Sequence, residues 1–299
     1  MKRALGRSLS SSARTQYTAS WRRFSKFTKN TLHASPLPST SYTVALYVTH
    51  LAKLKLKSTT IRSHLSAIAF YHKIHGFDNP STSFLINKLL LSQKKTEEPA
   101  LERRPITISI LRQLVSAMKS SGFSAYDRRL FRAIFTLMYH AALRASEICV
   151  TPHASHTLQR SHLEVVHCSG GDAIKISFPS YKHSEGRLCP ILIHSSDKQT
   201  CAVRAYKSFV RMYHVADGPA FHCANNATLT RQVLANSIHT LLKAINLNPR
   251  HYNTHSFRIG KATDMAKQGF SYSQTAMLGR WKSNAFLKYI KPTVVHGTH

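Results

Sequence analysis

The chain has 299 residues and an apolar fraction of 42%, which is enough for buried cores in one large domain or two ordinary ones. It carries 42 Lys and Arg against 12 Asp and Glu, and this formal charge of +30 is spread along the whole chain. A folded protein this basic repels itself unless a polyanion neutralises it, so nucleic acid is the first candidate partner and a non-specific, ribosome-like basic protein is the alternative.

Several other classes of protein do not fit the sequence. No stretch approaches the roughly 18 consecutive apolar residues of a membrane span. The chain begins with MKRALGRSLSSSARTQ, which is basic and Ser-rich but lacks the apolar segment of a secretory signal, so it is either a transit peptide or a DNA-contacting arm. The five cysteines are scattered without a Cys-x-x-Cys pair, which indicates no disulfide framework, no zinc ribbon and a reducing intracellular compartment.

The N-terminal part of the chain has the pattern of four helices and no strands. Aromatic and apolar side chains recur at helical spacing from Tyr17 to Leu32, and residues 34–39 interrupt the pattern with two prolines. Three further helical stretches follow, which predicts a small helical domain over residues 1–95. Basic side chains between the apolar positions are candidates for DNA contact: Arg22, Arg23, Lys26, Lys57, Arg62 and Lys73.

A polar, charged segment with two prolines comes next, and we predict an interdomain linker over residues 96–106. Residues 107–299 then form a second domain. Its stretch 126–140 is apolar on most faces, as expected for a buried central helix. Short β-type runs within 162–194 predict a small antiparallel sheet, with further helices after it. The predicted fold is mainly α with one small antiparallel β-sheet.

Two candidate groups for phosphate chemistry lie in the first half of this second domain. Arg144 follows the apolar helix, where a charge needs a counter-anion, and Glu147 can hold its guanidinium in place. The alternative is a local Arg–Glu pair at the surface. Lys182 lies in the predicted hairpin turn, where it is either solvated or a general acid beside a phosphate, and His183 competes with it for that role.

The last stretch, residues 255–290, adds further candidates. His255 and Arg258 are three residues apart and fall on one face of a helix that starts near them, so both can reach one phosphate. Tyr289 is a poor nucleophile until its proton is removed and the charge of the phosphate is neutralised, which two arginines would do. Trp281 lies between them in a Gly-Arg-Trp turn.

The candidates occur in one order along the chain: Arg144, Glu147, Lys182, His255, Arg258, Trp281 and Tyr289. This order, with the phrases ALRASE, HSFR and LGRW, resembles the tyrosine recombinases of the phage-integrase family. The resemblance implies a helical, SAM-like core-binding domain and a mixed α+β DNA breaking-rejoining catalytic domain, which together clamp duplex DNA. The wording GRWKSNAFLKYI is most similar to the recombinases of eukaryotic mobile elements, the DIRS-type retrotransposons and Cryptons.

The resemblance also implies a role for each residue. Tyr289 would attack the scissile phosphate to give a 3′-phosphotyrosine and a free 5′-hydroxyl, and Lys182 would protonate the leaving 5′-oxygen. Arg144 and Arg258 would clamp the non-bridging oxygens. His255 would act as acid and base on the tyrosine side. Because the covalent bond keeps the phosphodiester energy, neither a metal nor another cofactor is expected.

Two features depart from the family pattern. The family usually places a His or Trp nine residues before the tyrosine, where this chain has Arg280, with Trp281 eight before. Either residue can fill the slot, and we favour Trp281, which would donate its indole N–H to a phosphate oxygen or pack the site. Only ten residues follow Tyr289, too few for the docking helix of many relatives, so the chain is either truncated or assembles differently.

We therefore expect a site-specific recombinase or integrase that acts as a homo-tetramer on two double-stranded DNA sites, in the nucleus of a eukaryote or otherwise in the cytoplasm or nucleoid. A decayed, domesticated mobile-element protein that binds DNA without cutting it is the main alternative. A generic RNA-binding protein and a topoisomerase-like enzyme that relaxes DNA without strand exchange are the others.

Overall fold

The computed structural model describes residues 8–99, 101–151, 156–178, 190–212, 217–281 and 286–287. The chain divides into two compact units, Met1–Ala100 and Leu101–His299. Each unit has its own hydrophobic core. None of the helices in the described ranges combines the length and apolar character that crossing a bilayer requires.

The first unit is entirely helical over its described residues. Its helices are α1 (Ser11–Thr31), α2 (Ser41–Lys53), α3 (Ser58–Ile74) and α4 (Phe84–Thr96), with a 3₁₀ turn at Pro80–Thr82. Side-chain oxygens of Ser10, Thr40 and Ser83 accept backbone N–H groups at the starts of α1, α2 and α4, which satisfies donors that a helix leaves unpaired. The four-helix prediction for this part of the chain is confirmed.

Aromatic side chains at helical spacing form the core of this unit, as their periodicity predicts. Phe24 of α1 meets Tyr47 of α2 edge to face, with ring centroids 5.1 Å apart. The Tyr47 hydroxyl lies 3.0 Å from Nδ1 of His64 on α3, so both buried polar groups are paired. The basic residues of the same helices consequently face outward.

The second unit combines helices with a small sheet. The helices are α5 (Ile108–Ala117), α6 (Ala125–His140), α7 (Ala145–Ile148), α8 (Ala202–Val210), α9 (Arg231–Ala244), α10 (Ser256–Lys267) and α11 (Tyr272–Gly279), and 3₁₀ turns lie at Arg160–His162, Ala224–Asn226 and Pro249–His251. Helix α6 is buried along most of its length. Its Phe135 contacts Phe257 of α10 with ring centroids 5.1 Å apart, so the predicted central helix is confirmed and anchors α10.

The sheet has three antiparallel strands in the order β1 (Leu163–Cys168), β2 (Gly171–Ile176) and β3 (Ile191–His194). Val165 pairs with Ile174, and Ile174 pairs with Ile193 on the other side. Ile174 and Ile176 point into the core of the unit. The predicted fold class, mainly α with one small antiparallel sheet, is confirmed.

The predicted linker over residues 96–106 is divided in the structure. Thr96 still belongs to α4, whereas Arg104 and Ile106 belong to the second unit. The Arg104 N–H donates to the His251 carbonyl at 2.8 Å, and the Ile106 N–H donates to the Ser256 carbonyl at 2.9 Å. A Cβ at Gly260 would fall on the Ile106 carbonyl. The end of this segment therefore fastens the first turn of α10.

Candidate active site

Four chain segments meet at one place in the second unit, two from residues 141–148 and two from residues 255–280. They are the loop that follows α6, the first turn of α7, the first turn of α10 and the C-terminal end of α11. His255 is the N-cap residue of α10 and Arg258 lies in its first turn, as predicted for a helix start. Arg144 is the N-cap residue of α7, and Arg280 ends α11. The polar contacts of this cluster lie within these four segments or between them.

Arg258 holds the loop after α6 and the end of α11 together. One terminal nitrogen of its guanidinium donates to the Ala142 carbonyl, and the other donates to the Gly279 carbonyl at 2.7 Å. The plane of the guanidinium lies over the Trp281 ring, 4.5 Å from its centroid. Arg258 is only 1% exposed. Its charge is thus buried and is stabilised by two carbonyl dipoles and an aromatic face.

Glu147 binds two arginines at once. Its Oε1 accepts from Nη1 of Arg144 at 3.0 Å, and its Oε2 accepts from the Arg144 backbone N–H and from Nη2 of Arg280, both at 2.8 Å. The Glu147 side chain is 1% exposed, against 25% for Arg144 and 5% for Arg280. The local Arg144–Glu147 pair is thus present, but it does not lie at the surface, because the carboxylate is buried and is shared with Arg280.

Arg280 contributes both its backbone and its side chain. Its φ of 54° is in the left-handed region, which favours glycine. In this conformation its carbonyl accepts from Nη2 of Arg144 at 3.3 Å. Its own Nη1 donates to the Ala141 carbonyl at 3.2 Å, and its guanidinium lies over the Phe178 ring, 4.2 Å from the centroid. The end of α11 is in this way tied to Arg144 and to the segment that follows β2.

His255 is neutral at physiological pH. Burial lowers its pKa to about 4, and the positive charges of Arg258 and Arg144 add to the effect. His255 precedes the helix whose first turn carries Arg258, and its carbonyl accepts from the Arg258 backbone N–H at 3.0 Å. A neutral imidazole can accept a proton, which is the state that a base acting on a tyrosine needs.

Gly279 makes room for the indole of Trp281. A Cβ at residue 279 would collide with the six-membered part of the Trp281 ring. The same ring stacks on Phe286, with centroids 5.4 Å apart and planes at 25°. Trp281 and Arg280 consequently point in different directions: Trp281 covers Arg258, and Arg280 binds Glu147.

The structure brings together five of the predicted site residues, namely Arg144, Glu147, His255, Arg258 and Trp281. Lys182 and its rival His183 lie outside the described residues, and so does Tyr289. Reasoning from the sequence missed the part that Arg280, Gly279 and Phe178 play in this cluster. The departure from the family pattern at residue 280 was the one available signal for Arg280.

The basic residues predicted to contact DNA all lie on the exposed surface of the first unit: Arg22, Arg23, Lys26, Lys57, Arg62 and Lys73. Arg23 also lines a groove between α1 and α3. The other polar lining residues of this groove are Gln16, Ser20, Thr59, Thr60, Ser63 and His64. Such a mixture of donors and acceptors suits both phosphates and base edges.

In the described part of the chain, no three His, Cys, Asp or Glu side chains come close enough together to hold a metal ion. The cluster is instead built from guanidinium, imidazole and indole groups. These groups bind anions, and phosphate in particular.

Comparison with known proteins agrees with this picture. Residues 106–291 match the phage integrase family, which is well over half of the chain. The chain belongs to the phage integrase family. Among curated proteins, none matches this chain.

Solved structures of tyrosine recombinases have a similar fold. The λ integrase dimer bound to a COC′ core site gives a TM-score of 0.62 at 12% identity, over 95% of this chain and 72% of that chain. The integrase of the Tn1549 transposon in complex with transposon right-end DNA gives 0.60 at 15% identity, over 94% and 88%. The XerH site-specific recombinase bound to palindromic difH substrate gives 0.60 at 15%, over 88% and 72%. The predicted family and fold are confirmed.

Proposed function

We propose that this protein is a site-specific DNA recombinase or integrase that cuts and rejoins DNA strands through a 3′-phosphotyrosine at Tyr289. The observation that carries the proposal is the cluster in which Arg144 and Arg258 both donate to carbonyls at the end of α11, with His255 at the start of the helix that carries Arg258. A family fold without such a cluster would suit a protein that only binds DNA. A phosphate-binding arrangement joined to a neutral histidine suits strand cleavage.

The charges of the cluster match a phosphoryl-transfer transition state. The cluster holds three guanidiniums, those of Arg144, Arg258 and Arg280, and one carboxylate, that of Glu147, which binds Arg144 and Arg280. The cluster therefore has an excess of positive charge, held by fixed contacts in a largely buried site. Preorganised positive charge beside the non-bridging oxygens is often the largest catalytic term for such a reaction.

The proposed reaction needs one attacking and one leaving oxygen. The Tyr289 phenol oxygen attacks the scissile phosphorus and its proton passes to neutral His255, while the bond to the 5′-oxygen breaks and Lys182 supplies the proton to that oxygen. Arg144 and Arg258 hold the non-bridging oxygens. The 5′-hydroxyl of a partner strand then reverses these steps, and the phosphodiester energy is never lost to water.

Access to Arg258 requires a movement. Since this side chain is 1% exposed and Trp281 covers its guanidinium, a phosphate reaches it only after the residues that enclose it shift. Arg144, at 25% exposure of its side chain, is accessible without such a shift. We infer that DNA first engages Arg144 and that Arg258 is uncovered as the duplex seats.

DNA would be held by both units, and most of the affinity would come from phosphate contacts. The +30 charge predicts a steep loss of binding with salt, and the α1–α3 groove with Arg23 is the best candidate for contact by the first unit. Strand exchange between two duplexes calls for four active sites, hence a homo-tetramer on two sites. The wording of residues 279–290 favours a eukaryotic mobile element of the DIRS or Crypton type, acting in the nucleus; terminal repeats in the DNA that flanks the gene would test this origin.

A covalent trap tests the proposed function. The Tyr289→Phe protein is used to select a binding site from a randomised duplex library. The selected site is then prepared as suicide duplexes with a nick near each possible cleavage position. Wild-type protein is expected to form an adduct that survives denaturation, whereas Tyr289→Phe binds the same duplex and forms none. Tyr272, the other tyrosine of residues 255–290, is 65% exposed, so Tyr272→Phe is a matched control that should keep the adduct.

The other outcomes assign different functions. Selective binding without an adduct on any nicked duplex would identify a DNA-binding protein that no longer cuts. Loss of the adduct in Tyr272→Phe but not in Tyr289→Phe would overturn the choice of nucleophile. Relaxed plasmid without recombinant product would indicate topoisomerase-like activity. Preference for RNA over every duplex would contradict the proposal.

A further inference from the structure

We infer that Arg280 is a positioning residue, which acts through Glu147 to hold the phosphate-binding Arg144 in place. This inference rests on the proposed function and assigns to Arg280 a task that a His or Trp at the corresponding place in the family does not suggest. The slot nine residues before Tyr289 would then serve the construction of the site rather than contact with DNA.

The geometry fastens Arg144 to Arg280 in two ways. Nη2 of Arg144 donates directly to the Arg280 carbonyl at 3.3 Å. The Arg280 guanidinium binds Oε2 of Glu147 at 2.8 Å, and that carboxylate accepts from both the backbone and the side chain of Arg144. Losing the Arg280 side chain removes a partner that approaches Glu147 from the end of α11, so the carboxylate is held less firmly in the orientation that binds Arg144.

The contacts of Arg280 require the planar fork of a guanidinium. Nη1 reaches the carbonyls of Ala141 and Leu278 at 3.2 and 3.4 Å, Nη2 reaches Glu147, and the central carbon lies 4.2 Å from the centroid of the Phe178 ring. Lysine offers a single point charge and cannot make these contacts together. The left-handed φ of 54° favours glycine, so the side-chain contacts are what makes arginine suitable here.

A direct phosphate contact by Arg280 does not fit the same geometry. Its guanidinium already has a buried counter-ion, because Nη2 binds the Glu147 carboxylate at 2.8 Å, whereas the terminal nitrogens of Arg258 donate to backbone carbonyls, which carry no formal charge. Arg144 is the member of this network whose side chain is open to a ligand, at 25% exposure. We therefore expect Arg144 to contact the DNA phosphate and Arg280 to contact Arg144 and Glu147 instead.

The experiment compares Arg280→Ala, Arg280→Lys and the exposed control Arg112→Ala in the full-length protein. Single-turnover adduct formation is measured at saturating suicide duplex. We expect Arg280→Ala to lose about 10²-fold in rate, because a misplaced ligand costs that much. Arg280→Lys should recover only part of this loss, and Arg112→Ala should keep the wild-type rate.

A double variant shows whether the effect passes through Arg144. If it does, adding Arg280→Ala to Arg144→Ala costs little more than Arg144→Ala alone. Independent, multiplying losses would overturn the inference. The salt dependence of DNA binding gives a second check: a direct phosphate contact lowers the slope of log K against log salt by about 0.9, whereas a positioning residue changes it no more than Arg112→Ala does.

Hydrogen exchange makes the test independent of activity. The Arg144 amide donates to Glu147 in the wild-type protein, so it should exchange faster in Arg280→Ala and not in Arg112→Ala. An unchanged Arg144 amide would overturn the inference even if the enzyme forms no adduct. Absence of adduct in the wild type, with faster exchange in Arg280→Ala, would overturn the proposed function alone. If Arg280→Ala does not fold, Arg280→Lys carries the same comparisons.

Discussion

Replacement of Glu147 by glutamine gives the sharpest test of the buried charge network. The change is nearly isosteric, and it removes the negative charge that Arg144 and Arg280 share. Three donors converge on the carboxylate, two of them on Oε2. The amide group of glutamine therefore does least harm with its nitrogen in place of Oε1, where it loses one charge-assisted hydrogen bond and leaves Arg280 buried without a counter-charge.

The expected cost follows from these contacts. A hydrogen bond to a charged group contributes about 1.5–3 kcal/mol, and breaking a buried ion pair costs about 3–5 kcal/mol. Because glutamine keeps one acceptor for Arg280, we expect a loss near the lower end, about 3 kcal/mol in the free energy of unfolding. For a unit of this size, that corresponds to a fall of about 6–12 °C in Tm.

The assay must report on the second unit alone. The protein has two tryptophans, Trp21 in the first unit and Trp281 beside the site, so a Trp21→Phe background leaves one fluorescent reporter of urea unfolding. Glu164→Gln is the matched control, because its carboxylate is 62% exposed and pairs with Lys175 at 3.4 Å. That control should change stability by less than about 0.5 kcal/mol. A Glu147→Gln effect as small as the control would refute the argument that the network is buried and strongly coupled.

Two further predictions concern the packing and the protonation of the site. Gly279→Ala places a methyl group where the Trp281 ring lies, so we expect the ring to move away from Arg258. The emission maximum of Trp281 should then shift to the blue or the red, and adduct formation should be lost. Unchanged emission in the Trp21→Phe background would contradict this prediction. Burial lowers the pKa of both His255 and His140 to about 4. Histidines of the unfolded chain have pKa values near 6.5, so on acidification the unfolded chain binds protons before the folded chain does. Their contribution to stability is complete above about pH 6.5 and is lost as the pH falls toward 4, by up to about 3 kcal/mol for each histidine. His255→Gln should therefore flatten urea-derived stability between pH 7 and pH 5, and a decline as steep as that of the wild type would contradict the assignment.

Much of the fold was predictable because it depends on local pattern. The aromatic spacing around Phe24 and the apolar run of α6 mark buried helix faces directly, and the β-type runs mark strands of the small sheet. The packing of Ile106 on Gly260 was not predictable in this way. A charged segment with two prolines has the composition of a linker, and only a contact across more than 150 residues reveals that its end is fixed.

The site residues, too, were predictable only in part. Arg144 and the His255–Arg258 pair could be named from the sequence because their order along the chain resembles a family pattern. Their partners could not, since the bond between Glu147 and Arg280 joins residues whose separation in the sequence gives no sign of contact. From the sequence, the neighbour that can be named for Glu147 is Arg144, three residues away, and that spacing is equally typical of a local pair at the surface.

The neighbouring residues 280 and 281 show why the register was ambiguous in sequence. A count of residues back to Tyr289 treats the two as alternatives for one position in the site. The left-handed conformation at Arg280 separates them in space, with one side chain directed to Glu147 and the other laid over Arg258. Both residues therefore serve the two arginines that are proposed to hold the phosphate, Arg280 by supporting Arg144 and Trp281 by covering Arg258. The count of residues therefore does not choose between them, because the turn at residues 280 and 281 supplies a contact to each arginine.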